Sequence, residues 1–186
     1  MNLVYHLGYP RTATTLFQKH IFLKNHPKIN YLGTKHYDNI PVQITQSELD
    51  NYQNNAHDKF LKYFSKEKTN LISCENYLSY KKYNDLDAII ALKEFYKKNY
   101  TFKFKIIYTI RNQFELIKSL YYHSYPVLKE YLSCKSIEEL ICKISEGKID
   151  NNENLYNYIK SFDFNYTYDQ LKNKFNDAEM YILNYD

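Results

Sequence analysis

The chain has 186 residues, a length that fits one domain able to bury a sizeable core. Hydrophobic residues make up 44% of it and charged residues 25%, which excludes a disordered or fibrous chain, and no apolar run reaches the length needed to cross a bilayer. A net charge of +4 and a pI near 8.7 suit an anionic ligand but lack the strong basicity of a dedicated nucleic-acid binder.

The elements follow in chain order. Leu3 to Leu7 is a short β-forming run that gives way to a loop holding Gly8 and Pro10, then to a segment with Leu16, Ile21 and Phe22 spaced for a helix. Lys28 to Gly33 reads as a second strand. Ser47 is placed to cap a mostly polar helix carrying Leu49, Tyr52, Phe60, Leu61 and Phe64. Asn70 to Cys74 forms a third strand ending at Glu75, and Asp85 to Lys98 a helix with Leu86, Ile89, Ile90, Leu92 and Phe95 apolar. Thr101 to Ile110 is the most strand-like run, and a helix over 113–125 stops near Pro126. Ser136 with Glu139 is a capping box for a helix ending at Gly147, and Thr167 with Gln170 another, before a last strand from Glu179 to Leu183.

Strands alternating with helices predict an α/β fold of three α/β/α layers around a parallel sheet of about five strands, joined by right-handed crossovers. Residues 1–186 are expected to form one domain. The first apolar run is too short for a signal peptide. Cys74, Cys134 and Cys142 have no metal-ligand spacing and are expected to be reduced thiols of a cytoplasmic protein.

The stretch most suggestive of chemistry is the first loop. With only three glycines in the chain, Gly8 falls where a strand must turn into a helix N-terminus. Free backbone N–H groups and the positive end of the helix dipole meet there, and Arg11 with the hydroxyls of Thr12, Thr14 and Thr15 adds donors for an anion. Against the nucleoside-triphosphate pattern G-x-x-x-x-G-K-S/T, the second glycine position holds Ala13, the lysine position holds Thr14, and Thr15 fills the last. The cation has moved to Arg11, which argues against ATP or GTP hydrolysis and for a shorter anionic group attached to a nucleoside.

The run Gly8-Tyr9-Pro10-Arg11-Thr12-Ala13-Thr14-Thr15 resembles the 5′-phosphosulfate loop of the sulfotransferase family, whose members commonly read P-K-S-G-T-T or P-R-T-G-T-T. A second block agrees. Lys105 to Ile110 followed by Arg111, Ser119 eight residues on, and Tyr121-Tyr122 resembles the family's 3′-phosphate motif.

The resemblance implies a P-loop-like fold and direct transfer of a sulfuryl group from 3′-phosphoadenosine 5′-phosphosulfate to a hydroxyl or amine. The product is adenosine 3′,5′-bisphosphate, and no metal is required. It further implies that Gly8, Pro10, Arg11, Thr12, Ala13, Thr14 and Thr15 hold the 5′-phosphosulfate, with Arg11 neutralising the leaving oxygen. Arg111 and Ser119 would hold the 3′-phosphate. Glu75, directly after the third strand, takes the place of the family's base, with His36 in reserve. His6, His20 and His123 read as structural or exposed, and no paired base accompanies Cys74.

By family analogy the acceptor is a saccharide, with lipid and small-molecule acceptors left open, and no nucleic-acid partner is expected because the strands carry no recognisable stacking motif. The last residues, Tyr181 to Asp186, resemble the strand after which family members continue, so the usual C-terminal segment is expected to be missing. Competing readings are an inactive nucleotide-binding relative and a P-loop-like kinase, which would prefer ATP with magnesium.

Overall fold

The computed structural model describes residues 1–8, 16–22, 26–32, 63–74, 90, 93, 94, 97, 103–119, 121–122, 135–146 and 162–185. The apolar runs of the sequence become strands of a parallel sheet whose middle is buried, as is usual where both faces are covered, while the edge strand near the C-terminus leaves Tyr181, Ile182 and Leu183 exposed. β1 (Asn2–Gly8), β2 (Ile29–Tyr31), β3 (Thr69–Cys74), β4 (Lys103–Ile110) and β5 (Glu179–Asn184) form one five-stranded sheet in the order β2-β3-β1-β4-β5. Every pairing is parallel. β1 is central, with Leu3, Tyr5, His6 and Leu7 all buried.

Register and ring contacts define the two faces. Leu3, Tyr5 and Leu7 align with Phe104, Ile106 and Tyr108 on one face. There Phe164 meets Tyr108 edge-on and Phe175 meets Phe104. Both come from α3 (Phe164–Lys174) and its C-cap. His6 alternates to the opposite face, where the helical turn Phe17–Phe22 lays two phenyl rings against it. Helices therefore cover both faces, giving the three-layer α/β architecture. α1 (113–119) contributes buried Leu116 and Ile117, and α2 (Ile137–Ser145) contributes Ile137 and Leu140.

The structure departs from the sequence reading at several local points. The turn after the first loop is π-helical, not α-helical, and it exposes Leu16 (49%) and Ile21 (46%), two residues expected to face the core. The wider π turn brings residues five apart onto one face, so Phe17 and Phe22, both half-buried, stack at 6.1 Å and face the sheet in place of Leu16 and Ile21.

Tyr63 and Phe64 are not helical; residues 33–62 lie outside the described residues. The N-cap of α3 is Asp163, whose Oδ1 accepts from Tyr166 N–H at 2.9 Å. The Thr167 of the expected capping box is instead buried inside the helix, with its N–H bonded to the Asp163 carbonyl. Ser136 does cap α2, accepting from Glu139 N–H at 3.2 Å, while Glu139 reaches back to Lys135 N–H at 2.7 Å. That is one residue earlier than the reciprocal box requires.

The helix expected over 85–98 is represented by helical Ile90, Lys93, Glu94 and Lys97. Lys93 is only 3% exposed, because its ammonium pairs with Asp177 and lies 5.6 Å over the Phe175 ring. Lys97 shares the same carboxylate at 2.5 Å. The two lysines hold the Asp177 carboxyl down at about 2.

Candidate functional site

In an open parallel sheet, ligands collect beyond the carboxyl ends of strands whose connections leave in opposite directions. The order β2-β3-β1-β4-β5 puts that point between β1 and β4: the chain leaves β1 toward β2 on one side and β4 toward β5 on the other. Gly8, at the end of β1, is the register partner of Thr109. On the other flank Cys74, the last residue of β3, pairs with Leu7. Three strand ends therefore lie side by side.

Each of these ends carries a residue or loop singled out by the sequence. Gly8 is buried and leaves the end of β1 without a Cβ on the His6 face. Arg111 is the first residue after β4 and is half-buried. The next residue fixes its position: Asn112 Oδ1 accepts from the N–H groups of Phe114 (3.0 Å) and Glu115 (3.2 Å), and its carbonyl takes the first helical bond from Leu116. Arg111 thus occupies the elbow between a strand and a capped helix. Gln113 Nε2 donates to the Phe162 carbonyl at 2.6 Å, anchoring that elbow to the segment before α3.

Ser119 is half-buried on α1, and neither it nor Arg111 is without an interaction partner. Pro10, Arg11, Thr12, Ala13, Thr14, Thr15, His36 and Glu75 lie outside the described residues.

Directly beneath the rim is a group to which the sequence reading gave only a structural role. His6 is 1% exposed, with Nδ1 2.7 Å from Ser73 Oγ on β3 and Nε2 2.7 Å from Thr109 Oγ1 on β4. Burial holds its pKa down at about 4, so the ring is neutral at pH 7. The signal for this bridge lies in separate segments: a polar residue in each of three apolar strands, always near the carboxyl end.

Among the described residues no group of three or more His, Cys, Asp and Glu side chains is placed to hold a metal. Nor is any helix among them long and apolar enough to cross a membrane.

Fold and rim together define an α/β protein with a sulfotransferase-like fold. Among solved structures the chain is similar to a sulfotransferase from Alicyclobacillus acidocaldarius, with a TM-score of 0.50 and 15% sequence identity over 98% of this chain and 72% of that one. No family model and no curated protein matches the sequence.

Proposed function

We propose that the protein is a sulfotransferase that moves the sulfuryl group of 3′-phosphoadenosine 5′-phosphosulfate to a hydroxyl or amine of a saccharide acceptor. The observation that carries this reading is the adjacency of β1 and β4 at the point where their connections diverge. The block resembling the 5′-phosphosulfate motif starts at Gly8, the end of β1, and the block resembling the 3′-phosphate motif runs through β4 and puts Arg111 directly after it. The fold likeness to a sulfotransferase supports the same reading.

In this reading the backbone N–H groups of the loop from Gly8 to Thr15 and the hydroxyls of Thr12, Thr14 and Thr15 bind the 5′ end of the donor, with Ala13 among the N–H donors and Pro10, which has no N–H to give, fixing the course of the loop. Arg111 and Ser119 bind the 3′-phosphate, the feature that separates this donor from ATP and ADP, and the Arg111 guanidinium can do so with two parallel N–H donors. Glu75 takes the acceptor proton, His36 being the reserve base. The acceptor oxygen or nitrogen forms the new bond to sulfur as the bond to the bridging phosphate oxygen breaks. Arg11 neutralises the charge left on that oxygen. Catalysis comes from positioning and electrostatic stabilisation and uses no metal.

The test is transfer of radiolabelled sulfate from the donor to a panel of saccharides, with metal chelated. Labelled saccharide that forms with wild type and is lost in Arg11→Ala supports the proposal. Donor breakdown at the same rate with and without every saccharide contradicts the proposed acceptor class.

A further inference from the structure

His6 stands at the middle of a polar link across the three strands that form the rim. Its ring nitrogens reach Ser73 on β3 and Thr109 on β4, each at 2.7 Å, and the edges of Phe17 and Phe22 close around it at 5.8 and 5.4 Å. A neutral imidazole donates from one nitrogen and accepts at the other, while a hydroxyl can do either, so the pair of contacts can be satisfied together. The sheet did not need a polar residue here, since Val4 and Ile107 occupy the same face of β1 and β4. Buried polar networks hold a unique arrangement and stabilise less than apolar packing would.

The place of the link indicates what it arranges. Ser73 precedes the last residue of β3, Thr109 precedes the last residue of β4, and His6 is two residues before the end of β1. We infer that His6 is a positioning residue: by bridging Ser73 and Thr109 it fixes the spacing between Gly8, at the end of β1, and Arg111, the points from which the two proposed anion subsites of one bisphosphate nucleotide start. This inference rests on the donor reading above.

A ligand that fills both subsites senses their spacing, whereas a ligand that fills the 5′ subsite alone does not. The experiment therefore compares calorimetric affinities for adenosine 3′,5′-bisphosphate and ADP in the full chain, as wild type, His6→Leu and His6→Gln, with thermal midpoints measured alongside. His6→Leu is expected to lose about tenfold in affinity for the bisphosphate, the scale of one buried hydrogen bond. Its affinity for ADP should change less than about twofold. His6→Gln keeps a donor and an acceptor and should recover most of the loss.

Equal losses for both ligands, no loss in His6→Leu, or a His6→Gln as impaired as His6→Leu would each overturn the inference and leave the donor reading standing. A wild type that binds the bisphosphate no better than ADP overturns the donor reading, and the inference with it. Should His6→Leu fail to fold, the double variant Ser73→Ala with Thr109→Val removes the same two bonds and permits the same comparison.

Discussion

Gly8 and Thr109 are register partners at the carboxyl ends of β1 and β4, so the loop after Gly8 and the elbow holding Arg111 start from neighbouring points on one rim. Their separation in sequence is about a hundred residues, and only the crossover topology brings them together. The donor site proposed above uses that adjacency, with one anion subsite assigned to each strand end.

Arg111 should be irreplaceable by lysine in binding the 3′-phosphate. A guanidinium offers a planar fork that a point charge on a flexible stem does not. Arg111→Ala and Arg111→Lys should both lower affinity for adenosine 3′,5′-bisphosphate, by about 10-fold to 100-fold for the alanine variant, with little change for ADP. Full recovery in Arg111→Lys would show that charge alone is being used.

Arg11 and Glu75 should separate binding from turnover. Arg11→Ala is expected to lower the transfer rate by about 100-fold to 1000-fold, the scale of removing one group that stabilises developing negative charge. Glu75→Gln should remove the acid limb of the pH–rate profile and leave donor affinity within about twofold. A pH profile unchanged in Glu75→Gln but altered in His36→Ala would transfer the base role to His36.

Stability should fall with acid in a window set by His6. Its pKa is about 4 in the folded chain against 6.5 when free, so between those values the unfolded chain binds more protons. The stabilisation is complete above pH 6.5, declines as pH falls toward 4, and changes no further below that; the full loss is about 3 kcal/mol. Asp177 works in a separate window, because its carboxyl is held at about 2 against 3.8 and its contribution is lost as pH drops through those lower values. Calorimetric melting across pH 4 to 8 should show the His6 slope in wild type and a flatter line in His6→Gln; equal slopes would refute the assignment.

The buried Lys93 should reveal itself by an asymmetry between the two halves of its ion pair. Asp177→Ala leaves an ammonium that is 3% exposed without its nearest carboxylate, and should destabilise by about 1–3 kcal/mol, a value kept low because the carboxylate side is partly solvated. Lys93→Met replaces the ammonium beside Phe175 with an uncharged thioether chain of similar length, leaves no buried charge unpaired, and should cost less. Equal denaturation midpoints for the two variants would contradict this ranking.

Much of this architecture was legible in the sequence for a physical reason. A strand covered on both faces is mostly apolar, so the runs at the heart of β1, β3 and β4 stand out without any partner known, and a strand that ends at a glycine or a charged residue marks a rim. What escaped depended on contacts between distant segments. Leu16, Ile21 and Phe22 read together as one apolar helical set, and only the π turn against His6 leaves Leu16 and Ile21 exposed and sets Phe22, with Phe17, toward the sheet. Lys93 reads as a solvated position until Asp177, far along the chain, arrives beside it. Thr167 and Gln170 satisfy a capping pattern, yet Asp163 lies where the helix begins. The His6 bridge joins single residues from three strands, a pattern visible only once strand order and register are known.

The most direct measurement is a calorimetric titration of wild-type protein with adenosine 3′,5′-bisphosphate, ADP, and ATP, each with and without magnesium. A sulfotransferase donor site should bind the bisphosphate tightly, indifferently to magnesium, and clearly more strongly than either 5′-polyphosphate. A preference for ATP with magnesium, or no discrimination by the 3′-phosphate, would contradict it.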